Sequence, residues 1–262
     1  MGTLANLMMA AALALPATAG AQGRGTDAKR PTIVLVHGAF AESASWNAVM
    51  AELIRDGYPV VAAANPLRSV AGDASYVTSI LASIPGDVVL VGHSYGGTII
   101  SQAGADAGNV KALVYVAGFA LEPGESGATI AGRFPEGTLG QALAKPVAQA
   151  DGGKDLYIDL PKFRAQFAAD VPASEAALMA AAQRPITEAA LGEQVIAAAW
   201  KSKPSWFIYG SLDKNIPRSA HAFMAKRAKA RETVEVAGAS HVVMISHPHE
   251  VAAIIERAAA GR

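Results

Sequence analysis

The sequence predicts an α/β domain built on a mainly parallel sheet of six strands with helices on both faces. At 262 residues, 52% of them hydrophobic and 17% charged, the chain is long and apolar enough to bury one large core. Runs rich in β-branched and aliphatic residues alternate with segments of helical periodicity. Because those runs lack polar–apolar alternation, both faces of the strands should be covered, as in parallel sheets.

The predicted elements follow one another in a strand–helix order. The strands are expected at 32–37, 58–63, 87–92, 111–117, 205–209 and 233–236. The helices are expected at 45–56, 74–83, 95–107, 219–229 and 249–259. Strand, helix and next strand in this order imply right-handed crossovers, which place helices on both sides of the sheet.

The alternation breaks between Gly118 and Lys203, where six prolines and several short helical pieces occur without a convincing buried strand. We interpret residues 118–203 as a helical cap inserted into a core formed by residues 32–117 and 204–262. Open α/β sheets bind ligands at the carboxyl edge of their strands. A cap over that edge would close a pocket and exclude water.

Residues 1–21 are predicted to be a secretory signal peptide. An apolar run from Leu7 to Leu15 is too short to span a bilayer, and Ala19-Gly20-Ala21 resembles a cleavage site. The absence of Lys or Arg before Leu7 departs from that pattern, so a disordered tail is the alternative. Residues 22–31 are expected to form a flexible lead-in. We expect a periplasmic or secreted protein, and a cytoplasmic one if residues 1–21 are not a signal.

The composition argues against several classes of partner and cofactor. Lys and Arg together number 22, as do Asp and Glu, so the formal net charge is zero and nucleic acid is a poor candidate partner. With no cysteine, disulfides, thiolate metal sites and a cysteine nucleophile are excluded. No histidine or carboxylate cluster has convincing metal-ligand spacing, so no cofactor is implied. No stable membrane insertion is expected, and the oligomeric state is undetermined.

The segment around Ser94 predicts a catalytic serine. A buried strand over 87–92 ends at Gly92, and the pattern Gly92-x-Ser94-x-Gly96 precedes a helical segment. This is the nucleophile-elbow pattern, in which the serine adopts a strained backbone and exposes its hydroxyl. Side chains two residues before and after it would collide with neighbouring backbone, so glycine is needed at both positions.

A serine nucleophile needs a base to take its proton and a third group to orient that base. Asp213 follows the strand at 205–209, and His241 follows the strand at 233–236. Both lie in loops at the carboxyl ends of their strands, where they can converge with Ser94. The prediction is therefore a Ser94, Asp213, His241 triad, with an ordinary turn residue as the alternative role for Asp213.

The other histidines are expected to have supporting or surface roles. His37 and His93 lie in strand-end turns near Ser94 and should shape the site by hydrogen bonding. His221 is expected on an exposed helix. His247 and His249 flank a proline at a helix start and should be surface or capping residues.

Acyl transfer also needs hydrogen-bond donors for the developing oxyanion. The backbone N–H of Tyr95 is one candidate, because it lies at a helix N-terminus where the dipole favours negative charge. The loop after the first strand should supply the second, since Gly38 lets the backbone turn close to the site. Ala39 is the preferred donor and Phe40 the alternative, unless His37-Gly38 is an ordinary turn.

Four motifs, in this order, resemble one branch of the α/β-hydrolases: the plant methyl-ester esterases and the related hydroxynitrile lyases. The resemblance covers about residues 32–117 and 204–258 and implies a serine esterase that works through an acyl-enzyme. It assigns Ser94 as nucleophile, His241 as general base and then acid, Asp213 as orienting carboxylate, and Ala39 and Tyr95 as oxyanion donors. The motifs are His37-Gly38-Ala39 with Trp46, Gly92-His93-Ser94-Tyr95-Gly96-Gly97, Asp213-Lys214-x-Ile216-Pro217 and Gly238-Ala239-x-His241.

Two departures narrow the chemistry that the resemblance implies. The lyases carry a lysine after the catalytic histidine and usually a threonine in the first oxyanion loop, where this chain has Val242 and Ala39. Haloalkane dehalogenases and epoxide hydrolases use an aspartate at the elbow, where this chain has Ser94. Both departures favour ester hydrolysis.

The expected substrate is a small to medium, apolar or aromatic ester, although its acid and alcohol parts are undetermined. Lactone hydrolysis, perhydrolysis, C–C bond hydrolysis or lyase chemistry on the same frame, and a non-catalytic ligand receptor, remain as alternatives. Aromatic residues that could line the pocket, or could equally be core, are Phe40, Tyr95, Phe119, Phe134 and Phe163.

Overall fold

The structure is a computed structural model that describes residues 1–2 and 30–262. The predicted signal peptide and most of the predicted lead-in therefore lie outside the described residues. No helix in the described part of the chain is long and apolar enough to cross a bilayer.

The described residues form nine strands, of which six build the main sheet in the order β2-β1-β3-β4-β8-β9. All five pairings in this sheet are parallel, so the predicted parallel six-stranded sheet is confirmed. The strands are β1 Thr32–Val36, β2 Val60–Ala63, β3 Val88–His93, β4 Val110–Val116, β5 Val147–Ala148, β6 Lys154–Leu156, β7 Ile186–Thr187, β8 Ser205–Gly210 and β9 Glu232–Val236.

Helices follow the strands much as the sequence predicted. A 3₁₀ turn at Ser43–Trp46 precedes α1, and a second 3₁₀ turn at Ala199–Lys201 precedes β8. The five helices of the core are α1 Asn47–Arg55, α2 Val70–Ser83, α3 Tyr95–Ala103, α9 Arg218–Arg227 and α11 Pro248–Ala259. The shorter helices are α4 Gly127–Arg133, α5 Leu139–Ala142, α6 Leu160–Phe167, α7 Ala173–Ala181, α8 Glu188–Gly192 and α10 Val243–Ser246.

The centre of the sheet is covered on both faces. Every residue of β3 is buried, although side chains point alternately to the two faces of a strand. Leu35 and Val114 lie beside Val91 on the neighbouring strands, and all three are fully buried. The continuous apolar runs that predicted these strands reflect this two-sided cover. Burial of the central strands makes β3 a rigid support for the residues at its carboxyl end.

The region 118–203 contains helices, as predicted, and also a small antiparallel sheet in the order β5-β6-β7. The sequence predicted no convincing strand here, and the structure differs on this point. Strands of two or three residues are too short to show a hydrophobic period, so their pairing depends on tertiary contacts rather than on a local signal.

Polar contacts attach residues 118–203, which we propose to be a cap, to the core beside β2. The guanidinium of Arg68 donates to the Asp155 carboxylate at 2.6 Å and to the Pro185 carbonyl at 2.7 Å. The Glu193 carboxylate accepts from the N–H groups of Val70, at 2.6 Å, and Ala71, at 3.0 Å. Since these N–H groups open α2, a negative charge is favoured there. The cap is thus fixed to the core at several points.

Candidate active site

Ser94 lies in the sharp turn between β3 and α3 with φ of 52° and ψ of −122°, a strained backbone for a residue other than glycine. A Cβ on Gly92 would lie 2.5 Å from the carbonyl oxygen of Gly96. A Cβ on Gly96 would clash with the carbonyl of Val36 on β1. The turn therefore requires glycine at both positions, for the reason that the sequence predicted.

The loop after β1 passes directly beside Ser94. A Cβ on Gly38 would lie 2.6 Å from the Cβ of Ser94, so only glycine allows this approach. The N–H of Phe40 donates to the carbonyl of Arg184 at 2.9 Å, which disfavours Phe40 as the alternative oxyanion donor. Among the described hydrogen bonds, the N–H groups of Ala39 and Tyr95 have no acceptor. These two groups are free to bind a developing oxyanion.

Asp213 and His241 meet, although 28 residues separate them. The two atoms His241 Nδ1 and Asp213 Oδ2 lie 2.7 Å apart, and both side chains are fully buried. An ionised carboxylate only accepts hydrogen bonds, so Nδ1 carries the proton and donates. The other ring nitrogen, Nε2, has no hydrogen-bond partner in the described part of the structure. It therefore presents a lone pair, as a general base requires.

Asp213 accepts three further hydrogen bonds. Its Oδ1 accepts from the N–H groups of Asn215 at 2.8 Å and Ile216 at 3.0 Å. His221 Nε2 lies 3.1 Å from Oδ2, the oxygen that also binds His241. Burial opposes the charge on this carboxylate, but the two histidines outweigh it and hold the pKa of Asp213 well below its ordinary value. Asp213 is therefore ionised throughout the range in which the protein would work.

The expectation that His221 lies on an exposed helix is wrong. His221 is fully buried on α9 and stacks on Tyr209, with ring centroids 4.7 Å apart. Met224 and Ala225, three and four residues further along, are buried on the same face. The spacing of three and four residues was the sequence signal that His221 lies on a buried helix face. It was hard to see because His221 is polar and stands between two alanines.

The two histidines near Ser94 have the hydrogen-bonding roles predicted for them. His93 Nε2 lies 3.2 Å from the carbonyl oxygen of His241 and supports the backbone of that residue. His37 Nδ1 lies 2.9 Å from the carbonyl oxygen of Gly38. Burial lowers the pKa of His37 to about 4 and that of His93 well below its ordinary value. Both rings are therefore neutral near pH 7.

Residues of α6 and the segment after it contact both catalytic loops. Gln166 Nε2 donates to Asn215 Oδ1 at 2.8 Å, beside the Asp213 loop. The Ser240 hydroxyl donates to Asp170, beside His241. The ring of Phe167 lies 5.2 Å from the ring of His241, centroid to centroid. The cap therefore helps to position the loops that carry Asp213 and His241.

A cavity of about 190 Å³ opens beside Ser94, and the predicted pocket residues Phe40 and Phe119 line it, as does Tyr95. Phe134 and Phe163, also named as candidates, do not line this cavity. They pack against Phe223 and Phe167, with ring centroids 5.5 and 5.1 Å apart. The rest of the lining is Ser94, Gly127, Ala128, Ala131, Gly137, Leu139, Gly140, Leu143, Leu191, Asn215 and Ile216.

A larger cleft of about 480 Å³ is lined by Phe40 and by residues of the 3₁₀ turn, α1 and α7. It contains none of Ser94, Asp213 and His241. The smaller cavity is therefore the one that chemistry at Ser94 can use, and Phe40 lines both.

The fold and this arrangement define a hydrolase of the α/β type. The chain belongs to the alpha/beta hydrolase family, whose model matches residues 33–254.

Relatives with known activities are consistent with that family. A pimeloyl-[acyl-carrier protein] methyl ester esterase from Aeromonas hydrophila is 27% identical over 244 residues, covering 86% of this chain and 94% of that protein. The crystal structure of polyneuridine aldehyde esterase matches with a TM-score of 0.75 at 18% identity, covering 87% of this chain and 98% of that one. An extracellular α/β-hydrolase from a Paenibacillus species matches with a TM-score of 0.73 at 21% identity, covering 87% and 98%.

The two structural matches support the fold. Together with the family assignment, the Aeromonas esterase supports the predicted class of enzyme, a carboxylic ester hydrolase.

Proposed function

We propose that the protein hydrolyses small, uncharged carboxylic esters through an acyl-enzyme formed on Ser94. The observation that carries this proposal is the buried pair of His241 and Asp213. His241 Nδ1 donates to Asp213, and Nε2 has no hydrogen-bond partner among the described residues, so it can accept a proton. Ser94 lies at a strained turn and lines an apolar cavity together with Asn215 and Ile216, whose N–H groups bind the Asp213 carboxylate.

In the proposed first step, Ser94 Oγ attacks the ester carbonyl carbon while His241 Nε2 takes the hydroxyl proton. The Asp213 carboxylate stabilises the imidazolium that forms. As the tetrahedral intermediate collapses, the alcohol departs with the proton from His241 Nε2, leaving the acyl group on Ser94. A water molecule then repeats these proton transfers and releases the carboxylic acid, which restores the free serine.

The negative charge of each tetrahedral intermediate would fall on the former carbonyl oxygen. We assign the N–H groups of Ala39 and Tyr95 to this oxygen, since neither donates to another acceptor within residues 30–262. Tyr95 begins α3, so the helix dipole adds to its effect. Loss of one such donor typically costs about 3–4 kcal/mol of transition-state stabilisation.

The cavity supports a small and uncharged substrate. Its volume of about 190 Å³ is below the roughly 300–1,000 Å³ of pockets for drug-sized ligands. None of the residues that line it is charged. The name of the Aeromonas relative, a methyl ester esterase, agrees with a compact alcohol group. Short-chain and aromatic methyl esters are therefore the substrates to test first.

The test compares wild-type protein with Ser94→Ala on chromogenic short-chain esters. Ser79→Ala is the matched control, because its hydroxyl bonds only the Ser75 carbonyl on the exposed face of α2. We expect the control to match wild type and Ser94→Ala to lose at least about 10⁴-fold in kcat/KM. Equal rates for Ser94→Ala and wild type would refute the proposal. A marked preference for lactones over open-chain esters would show that lactones, rather than open-chain esters, are the substrate class.

We also propose that the protein is exported after cleavage behind Ala21. The apolar run 7–15 and the small residues Ala19-Gly20-Ala21 support this proposal. Mass spectrometry of the protein recovered from its producing cells should find Gln22 as the first residue. Recovery of the chain with residues 1–21 intact, in the cytoplasm, would contradict it.

A further inference from the structure

We propose that His221 is a positioning residue, which shares the carboxylate of Asp213 with His241 and thereby sets the pH at which the site becomes active. This inference rests on the proposed function, in which His241 is the base. It concerns a residue that the sequence motifs of the site do not include.

The geometry fixes the protonation state of both rings. His241 Nδ1 and His221 Nε2 lie 2.7 and 3.1 Å from the same oxygen, Asp213 Oδ2. Because the carboxylate is ionised and only accepts, each of these nitrogens must carry a proton. His221 is therefore the Nε2–H tautomer. His241 is the opposite tautomer, which leaves its Nε2 free as a base.

The same contacts restrain the carboxylate. Two backbone N–H groups occupy Oδ1 and two imidazoles occupy Oδ2, so the roughly four acceptor positions of the carboxylate are filled. His221 is itself fixed by α9 and by its stack on Tyr209, with an angle of 13° between the ring planes. Rotation of the Asp213 side chain would break four hydrogen bonds, so Oδ2 remains directed at His241.

A second donor on Oδ2 also weakens the pull of Asp213 on the proton of His241. The carboxylate charge is partly neutralised by the His221 N–H, so it stabilises a protonated His241 less than an unshared carboxylate would. We therefore expect that sharing of the carboxylate extends activity towards acid.

The other titratable groups around this pair do not supply the effect. His93, on β3, lies 4.8 Å from His241 between ring centroids, and burial keeps it neutral. Burial raises the pKa of Tyr209, on β8, so this phenol is neutral too. Asp170, in the cap, accepts a hydrogen bond from Ser240 rather than from a histidine of the pair. His221 is the neighbour that changes the charge shared by Asp213 and His241.

Two variants separate the hydrogen bond from packing. His221→Gln keeps a donor close to the position of Nε2, whereas His221→Phe keeps a ring against Tyr209 and removes the donor. For His221→Phe we expect kcat/KM to fall and the acid midpoint of its pH profile to rise by about 0.5–1 pH unit. His221→Gln should restore the wild-type midpoint. An unchanged midpoint in folded His221→Phe, or equal shifts in both variants, would overturn the proposal.

A measurement on wild-type protein keeps the inference testable if His221→Phe does not fold. Ring ¹⁵N spectra at pH 7, assigned with His221→Gln, should show His221 as the Nε2–H tautomer. An Nδ1–H tautomer or a charged ring would overturn the inference. Failure of the proposed function is a separate result, because it would appear as undiminished activity in Ser94→Ala whatever the tautomer of His221.

Discussion

The loops at the carboxyl ends of β3, β8 and β9 differ from the cap over residues 118–203 in how they are positioned. The loops continue strands of one parallel sheet whose central members are fully buried. The strands of the cap have only two or three residues, and the cap attaches through side-chain contacts such as Arg68 to Asp155 and backbone hydrogen bonds such as Phe40 N–H to the Arg184 carbonyl. In the proposed function, the core loops carry the chemistry and the cap selects the substrate, and this comparison is the one to test.

The largest expected effect is the loss of the proposed base. His241→Ala should reduce kcat by about 10⁴- to 10⁶-fold with little change in KM, because proton transfer fails while the cavity stays intact. His249→Ala is the matched control, since 84% of that side chain is exposed and it lies near Glu52 rather than Asp213. Steady-state kinetics on one short-chain ester measures kcat and KM for both variants. A His241→Ala enzyme within tenfold of the control would remove the base from the mechanism.

Between pH 7.5 and pH 4.5, acid should destabilise the protein through its core, because all six histidines lie outside residues 118–203. Burial lowers the pKa values of His37, His93 and His221 from an ordinary 6.5, for His37 to about 4. Between these values the unfolded chain binds protons that the folded protein does not, so stability falls as the pH falls. The slope should approach about 1.4 kcal/mol per pH unit for each histidine.

Urea unfolding at intervals from pH 7.5 to pH 4.5 measures this slope. A free energy of unfolding that rises towards pH 5 would show that the three rings are not buried in the neutral form.

Two helical glycines, one in the core and one in the cap, test how tightly the backbone of each region is packed. Gly96→Ala in α3 would drive a Cβ into the Val36 carbonyl and should cost about 2–4 kcal/mol. Gly132→Ala in α4 of the cap meets nothing within 4 Å and should add about 0.5–1 kcal/mol. Thermal unfolding of both variants gives the contrast. Similar changes in the melting temperature of the two variants would mean that the turn at Ser94 is less crowded than its contacts indicate.

The smallest effect should come from the cap wall of the cavity. Leu143→Ala removes part of an apolar wall without touching the three core loops. We expect kcat/KM on a methyl ester to change by about fivefold or less, while bulkier esters gain relative to it. A panel of esters of increasing size measures this preference. A loss of more than a hundredfold on every ester would place chemistry, rather than selection, in the cap.

The same contrast explains what could be predicted from the sequence. Five strands of the main sheet were predictable because each carries its own apolar run, and glycine spacing marked the turn at Ser94. The edge strand β9, ETVEV, alternates polar and apolar residues and is only partly buried. The contact between His221 and Asp213 could not be predicted, because it depends on how α9 packs beside β8. The strands β5–β7 of the cap have too few residues for a local pattern, so only tertiary contacts define them.

The structure of the protein inhibited by an aryl phosphonate would test the central claim most directly. A phosphonate mimics the tetrahedral intermediate, so phosphorus should be bonded to Ser94 Oγ. One phosphonyl oxygen should lie about 2.7–3.1 Å from the N–H groups of Ala39 and Tyr95. His241 Nε2 should face the serine oxygen. Phosphorus on another residue, or a phosphonyl oxygen directed away from both N–H groups, would contradict the proposed mechanism.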